Sequence, residues 1–331
     1  MPSMSEHNRR DGYWKYYHLA HTLEKDAIVS NIVSLVKENP PPARKKSNRG
    51  KKPVHSWEKM VCICILMVIF NLTYRDMQNE VPSLKLPWNE PYPDHSWIAK
   101  TFKRIPLQYL ESILHKTALM CIGESGWRKG MLATDSTGVE TDVYEEKVKP
   151  VKRKSGKRFE KVRMRRFLKW HIIAILDYMV ILASGITSSR RHDSPVLRKV
   201  LESIRNTFVL HGSTMNADGA YDGEANYELL YNMNMHPNIR QREGSMNKIL
   251  RYRKKASKGF DEGVYHYRGL IEGIFGAEEK ANHQLHCRYL IKQNQRRFGV
   301  IKAIGWNLQV LNRLRCARIL AVKVAQYAIT N

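Results

Sequence analysis

Three short acidic islands interrupt a strongly basic chain, and their placement constrains the fold more than any other sequence feature. The islands surround Asp135, Asp218 and Glu272. The two aspartates end short apolar stretches that are typical of strands, whereas the glutamate lies in a segment that is typical of a helix. Three carboxylates brought together repel one another unless cations lie between them, and oxygen-rich sites of this kind suit Mg²⁺ or Mn²⁺. The islands therefore predict strand ends and a helix that meet at a metal site suited to phosphodiester chemistry.

The charge balance indicates what such a site acts on. The 331 residues include 56 Lys plus Arg against 31 Asp plus Glu, a net charge of +25. An excess of this size is typical of a protein with a phosphate-rich partner or an anionic membrane surface. The longest apolar run, Met60 to Phe70, is too short to span a bilayer, and the opening residues contain no apolar signal segment. We therefore expect an intracellular, cytoplasmic protein rather than a membrane protein.

The pattern along the chain predicts four parts. Residues 1–55 have the pattern of a mobile helical extension followed by a basic linker, and residues 56–125 are helical throughout. Residues 126–320 alternate between strands and helices, and residues 321–331 form a tail. The predicted fold class is α/β, with a mixed sheet layer covered by helices.

The helical region 56–125 has two possible interpretations. Its short helices include one with exposed-type cations in its final turn, namely Lys100, Lys103 and Arg104. Short helices with a basic final member suit a helix-turn-helix-like DNA-binding unit. A plain helical bundle with solvated lysines produces the same pattern, so both interpretations stay open at this point.

A second basic segment lies between the first two predicted strands. From Lys147 to Lys169, 12 of 23 residues are Lys or Arg and only Glu160 is acidic. Such a run predicts a solvated, flexible loop, and beside a carboxylate site it is also where a DNA backbone would be held. The candidate phosphate contacts in this segment are Lys152, Arg153, Lys154, Lys157, Arg158, Lys161, Arg163, Arg165 and Arg166.

The third island has a helical spacing. Tyr265, Arg268 and Glu272 are three and four residues apart, which places them on one face of a helix that begins around Val264. Arg268 can then bind a phosphate bidentately or steady the carboxylate of Glu272, and Tyr265 can stack on a base or sugar. Taken alone, the triplet also matches an ordinary polar helix face.

The ordered set resembles the catalytic triad of the DDE transposases. Asp135, Asp218 and Glu272 follow one another at spacings of 83 and 54 residues, and the match is to the prokaryotic insertion-sequence group marked by Tyr-x2-Arg-x3-Glu-x6-Lys. Tyr265 and Arg268 fit that signature.

Elsewhere the match is partial. Glu279 stands where the signature has lysine, and Lys280 is one place later, where it remains a candidate DNA contact. The second island matches the Asp-x-(Gly/Ala)-Tyr pattern of the group, with Tyr221 as its tyrosine. Asp222 and Asp193 are better explained as helix caps than as further ligands, although Asp222 remains a competitor of Asp218.

The resemblance implies a ribonuclease-H-like sheet flanked by helices and an all-helical N-terminal DNA-binding segment. It also implies two Mg²⁺ or Mn²⁺ ions per site, with the three carboxylates as ligands and catalytic residues. The implied activity is cleavage and strand transfer on an insertion sequence. The implied partners are the double-stranded DNA of its terminal inverted repeats and target, bound by a homodimer. Two alternatives are a related endonuclease without strand transfer and an inactive, sequence-specific DNA-binding descendant.

Overall fold

The structure is a computed structural model that describes residues 6–43, 54–153, 156–242, 250–281 and 285–330. The chain divides into two compact units, and both are discontinuous in sequence. The first unit comprises Met1–Lys129, Asp177–Leu182 and Val300–Asn331, and the second comprises Gly130–Leu176 and Ala183–Gly299.

The described residues form helices and strands with the following bounds. The helices are α1 (Glu6–Glu38), α2 (Trp57–Ile69), α3 (Tyr74–Glu80), α4 (His95–Phe102), α5 (Leu107–Ser125), α6 (Ser194–Ile204), α7 (Glu224–Asn232), α8 (Arg251–Lys258), α9 (Glu262–His266), α10 (Leu270–Ala281) and α11 (Lys292–Thr330). The strands are β1 (Met131–Arg153), β2 (Gly156–Ile175), β3 (Val180–Ser188), β4 (Thr214–Ala217), β5 (His236–Ile239) and β6 (His286–Cys287).

A mixed sheet positions the acidic islands. Its strand order is β3-β2-β1-β4-β5, and the short β6 also pairs with β1. β1 and β2 are antiparallel, whereas β4 runs parallel to both β1 and β5. This order, with a leading antiparallel hairpin and trailing parallel strands, is the ribonuclease-H-like arrangement. The predicted mixed α/β sheet with helical cover and N-terminal helices is therefore confirmed.

In the first unit, helical elements form a core around α2. Every residue of α2 from Lys59 to Ile69 is buried, and Ser56 caps the helix by accepting from the backbone N–H of Lys59. The buried Lys59 ammonium donates to the backbone carbonyls of Glu90 and Pro91, which satisfies a charge inside the apolar layer.

The N-terminal helix is part of that core, which corrects the prediction of a mobile extension for residues 1–55. Ile28, Ile32 and Val36 are at most 2% exposed. These residues are four apart, the predicted helical spacing, and they form one apolar stripe along α1. Burial of this stripe holds α1 in the core of the first unit. The basic linker at residues 44–53 lies outside the described residues.

The predicted catalytic region 126–320 also differs from the observed units. Val300–Asn331 belongs to the first unit, so α11 contributes only its opening turns to the second. α11 continues through Gly299, where the two parts meet, because a single glycine does not end a helix, so the sequence offers no clear signal for this boundary.

The basic segment is not the predicted loop. Residues of β1 and β2 pair from Tyr144 with Arg165 outward to Arg153 with Gly156, so the segment extends the sheet as a hairpin arm. Arg163 and Arg165 lie 4.6 and 5.7 Å from the centre of the Tyr144 ring, and Arg165 also pairs with Glu140 at 2.5 Å. Ladder hydrogen bonds and these contacts offset the repulsion between like charges that favoured a loop.

Among the described residues, no single helix is long and apolar enough to cross a membrane. The pair Trp57–Ile69 and Tyr74–Leu84 passes a test of length and composition together, but it is bent by 113° and its first helix is buried.

A close approach in the second unit gives a stability prediction. At Gly299 a Cβ would overlap Cγ1 of the buried Ile186 and lie 3.3 Å from the Trp170 ring. Because the Ile186 side chain has to shift to accept this Cβ, Gly299→Ala should lower the free energy of unfolding by about 1–3 kcal/mol despite its better helix propensity. Urea denaturation measures this loss.

Gly123→Ala is the matched control, because a Cβ at that helical glycine meets nothing within 4 Å. It should raise the free energy of unfolding by up to about 1 kcal/mol. Equal effects of the two substitutions would contradict the packing at Gly299.

Candidate active site

The parallel pairing of β1 and β4 brings two of the islands together. Ala133 pairs with Asn216 in this ladder, so two residues further along Asp135 stands opposite Asp218. Equivalent positions of neighbouring strands point to the same face of a sheet. The Asp218 side chain accepts from the backbone N–H of Ala220 at 2.8 Å, which turns the chain at the strand end. Both predicted aspartates therefore lie side by side at one edge of the sheet.

The surroundings of Asp135 oppose its ionisation. Burial raises the pKa of this carboxyl above its ordinary value, and the negative charge of Asp218 raises it further. The backbone N–H of Ser136 and the guanidinium of Arg268 act in the opposite direction. The direction of the Asp218 effect shows that the two carboxylates repel each other at this edge.

Arg268 connects the third island to the first. Its guanidinium donates to Oδ2 of Asp135 at 2.6 Å and to Oε1 of Glu272 at 3.4 Å. The Asp135 contact is short and partly buried, whereas the Glu272 side chain is 65% exposed. One cation thus contacts both the strand-borne carboxylate and the helix-borne carboxylate.

The third island is not one continuous helix. α9 ends at His266, a 3₁₀ turn spans Tyr267–Gly269, and α10 begins at Leu270. The helix predicted from Val264 is therefore broken at Arg268. The break still leaves Arg268 over the Tyr265 ring, 5.9 Å from its centre.

Tyr265 lies behind the site. Its side chain is 8% exposed, and Arg240 and Phe260 flank its ring at 5.7 and 5.5 Å between centres. A ring enclosed in this way supports Arg268 and offers little surface to a base. Lys280 and Glu279 are both exposed near the end of α10.

The Asp222 carboxylate is bound by other side chains, so Asp218 is the better candidate for the second carboxylate of the site. Arg253 donates to its two carboxylate oxygens at 2.8 and 2.9 Å, and Tyr227 donates at 3.0 Å. Burial alone would raise the pKa of Asp222, but these hydrogen bonds together with one from the Arg242 N–H lower it. Its predicted role as a cap is wrong, since Gly223 is the N-cap of α7. Arg253 lies 31 residues away in a basic run, and the sequence contains no signal of this pairing.

Asp193 is likewise not a side-chain cap. It precedes α6 without a capping hydrogen bond and instead pairs with Lys169 at 2.8 Å. Nearby, the buried His171 contacts the Thr187 hydroxyl at 2.8 Å, and burial lowers the pKa of this imidazole to about 4. Tyr221, the tyrosine of the second island, is 1% exposed beside these groups. This buried polar cluster was not predicted.

The donor set fits hard divalent cations in its chemistry. Within the described residues, no group of three or more His, Cys, Asp or Glu side chains is arranged to hold a metal ion. The Arg268 guanidinium contacts both Asp135 and Glu272, so a cation already lies beside two of the three carboxylates. The repulsion between Asp135 and Asp218 is what a cation at this edge would neutralise, and carboxylate oxygens are the ligands that Mg²⁺ prefers.

The predicted phosphate contacts lie on two surfaces. Lys100, Lys103 and Arg104 are exposed at the end of α4, and Lys161, Arg163, Arg165 and Arg166 are exposed on β2. Lys154 lies outside the described residues, and so do the side chains of Lys152, Arg153, Lys157 and Arg158.

Comparison with known proteins gives a family. Residues 126–308 match the Transposase DDE domain. A piggyBac transposase synaptic complex with hairpin DNA is 8% identical, with a TM-score of 0.41 over 93% of this chain and 79% of that chain. A Mos1 transposase paired-end complex with the left transposon end is 8% identical, with a TM-score of 0.24 over 73% and 82%. At these scores neither likeness defines the fold, and no curated protein matches.

Substitution of Asp222 and substitution of Asp218 should have different effects on the stability of the protein. Asp222→Asn leaves the Arg253 guanidinium buried without its counter-ion, so the free energy of unfolding should fall by about 3 kcal/mol. Asp218→Asn removes a repulsion and should leave that free energy unchanged within about 0.5 kcal/mol. Urea denaturation of both variants makes the comparison, and equal losses would contradict the assignment.

Acid titration tests the same pair. Because the folded pKa of Asp222 is lowered, its stabilisation is complete above the unfolded pKa and is lost as the pH falls through the folded value. The free energy of unfolding should therefore fall less steeply below about pH 4 in Asp222→Asn than in the wild-type chain.

Proposed function

This chain belongs to the DDE transposase family, and on that premise we propose that it cuts DNA at the ends of an insertion sequence and joins those ends to target DNA. The observation that carries the proposal is the convergence of Asp135, Asp218 and the Arg268–Glu272 pair at one edge of the sheet. These groups match the predicted triad in residue type and in order along the chain.

The carboxylates have a distinct role from the arginine. Asp135, Asp218 and Glu272 would hold the metal, as Mg²⁺ or Mn²⁺ with two ions per site. When bound there, such ions supply Lewis-acid stabilisation of the attacking and leaving oxygens of an in-line displacement. Arg268 presents a planar fork of donors that suits a phosphate as well as a carboxylate, so it can orient the backbone beside the aspartates.

Two basic surfaces support DNA binding. The hairpin arm presents a row of exposed cations on alternate β2 residues, which suits successive phosphates. In the helical unit, α2 and α3 are separated by residues 70–73 and bent by 113°, a geometry found in helix-turn-helix motifs. We propose that the hairpin arm holds backbone beside the triad and that the helical unit, with the α4 cations, recognises the terminal inverted repeats.

The proposal includes the assembly and the setting. We propose a homodimer that pairs two DNA ends, acting in the cytoplasm at the nucleoid. A related endonuclease without strand transfer shares the same site, and the product of the reaction separates the two. Joined products with target DNA indicate a transposase, whereas cut ends alone indicate the endonuclease.

Substitution of the triad tests the catalytic assignment. Asp135→Ala or Glu272→Ala should lower the rate of end cleavage in Mg²⁺ by at least about 10³-fold, because several kcal/mol of charge stabilisation are lost with the metal. The affinity of each variant for the same DNA in EDTA should remain within about twofold of the wild-type affinity. Gel analysis of nicked and joined products from the flanking DNA ends measures the rate.

Glu279→Ala is the matched control, because it removes an exposed carboxylate from the same helix without touching the site. It should cleave at the wild-type rate. Cleavage retained by Asp135→Ala would overturn the metal-triad assignment.

The hairpin arm should contribute to the salt dependence of binding. Replacing Arg163 and Arg165 by glutamine removes two phosphate contacts, so the slope of log affinity against log salt should decrease by about 2 for duplex DNA. The double variant Arg198→Gln with Arg205→Gln removes the same charge from exposed positions on α6 and directly after it, and it should retain the wild-type slope. An equal change in both variants would show that only net charge matters.

A further inference from the structure

The second unit contains a cleft whose lining includes none of Asp135, Asp218 and Glu272. Its volume is about 760 Å³, and it is lined by residues of β1, β2, β3, α6 and the start of α11. The β3 residues are Ile186, Thr187 and Ser188, so the cleft opens where this edge strand ends. Neither the triad nor the outer part of the hairpin arm lines it.

The charge of the cleft is of one sign. Five of its lining residues are cations, and no lining residue carries a carboxylate: the cations are Arg166, Arg191, Lys199, Lys292 and Arg296. Within the described part of the chain, none of the five forms an ion pair. Five uncompensated cations around one concavity attract a polyanion with several charges along its length.

The floor of the cleft is apolar. Leu290 is 72% exposed and supplies the accessible apolar surface of this floor, whereas Leu168, Ile186 and Val196, at 4%, 6% and 8% exposed, add little to it. A ligand that combines an anionic backbone with flat apolar groups can use both surfaces at once. Unpaired nucleotides have this composition, because their bases are not stacked inside a duplex.

The size of the cleft favours an unpaired strand. A volume of about 760 Å³ is that of a pocket for a small ligand, which suits a few nucleotides rather than a segment of double helix.

The cleft is close to the carboxylates. Thr187 contacts His171 at 2.8 Å, and His171 pairs in register with Ser136, the residue after Asp135. Two strand spacings, roughly 10 Å in all, therefore separate Thr187 at the cleft from Ser136, and β1 itself lines the cleft further along through Thr141 and Val143. A DNA strand covers this distance in about three nucleotides at 3.4 Å each.

We propose that this cleft binds a short segment of single-stranded DNA next to the site of cleavage, with phosphates on the five cations and bases on the apolar floor. The proposal rests on the proposed function of the triad and adds a second binding site to it. The unpaired segment is DNA opened from a duplex end within a few nucleotides of the carboxylates.

Equilibrium binding tests the proposal without the cleavage reaction. The double variant Lys199→Gln with Arg296→Gln should bind a fluorescent oligodeoxythymidine about tenfold more weakly in EDTA than the full-length wild-type chain. The slope of log affinity against log salt should decrease by about 1.4, because single strands contribute about 0.7 for each phosphate contact. Affinity for a duplex of the same length should change by less than twofold.

The control variants isolate the cleft. Arg198→Gln with Arg205→Gln removes two exposed cations from the same region outside the cleft and should bind the oligonucleotide as the wild type does. Lys199→Arg with Arg296→Lys keeps both charges and should restore wild-type binding, which excludes misfolding as the cause. Far-ultraviolet circular dichroism confirms that each variant is folded.

Two results overturn the proposal. If the Lys199→Gln with Arg296→Gln variant binds the oligonucleotide as tightly as the wild type, the cleft does not bind single-stranded DNA. If its affinity for duplex DNA falls by the same factor, these cations contact the backbone of a duplex instead. Failure of the proposed function appears differently, as a wild-type chain that neither binds DNA nor cuts it. A chain that cuts through Asp135 and whose cleft variant binds normally refutes the cleft alone.

Discussion

The parallel ladder between β1 and β4 is the constraint on which the site depends. It fixes Asp135 opposite Asp218 at one edge of the sheet, and two carboxylates so placed repel each other. Charge of the opposite sign has to be close, and Arg268 supplies it through its contacts with Asp135 and Glu272. Arg268 lies in the 3₁₀ turn between α9 and α10, so this break in the helix places its charge beside Asp135.

Local signals in the sequence were sufficient where the structure is local. Ser56 and Asp94 precede helical patterns and cap α2 and α4, and Asp218 directly follows the end of β4. The strand end predicted at Asp135 is wrong, because β1 continues through this residue to Arg153. The order of strands and helices between them also predicted the fold class. These features depend on residues within a few positions of one another, which a pattern in one sequence records directly.

Features that depend on distant partners were not predictable in this way. Asp222 has the position of a cap, and only the approach of Arg253 from 31 residues away turns it into a buried ion pair. The hairpin arm has the composition of a loop, and only the pairing of both strands around Tyr144 makes the segment regular. In both cases a tertiary contact overrides a local preference, because its hydrogen bonds and charge pairing outweigh the few tenths of a kcal/mol in that preference.

The two contacts of Arg268 differ in length and in exposure to water. The bond to Asp135 is 2.6 Å long with both side chains less than one-fifth exposed, whereas the contact to Glu272 is 3.4 Å long with the carboxylate 65% exposed. An exposed pair at that distance contributes little, because water screens it. Release of Glu272 from the guanidinium therefore costs less than release of Asp135. Of the three proposed catalytic carboxylates, the helix-borne Glu272 is thus held less tightly by Arg268 than the strand-borne Asp135.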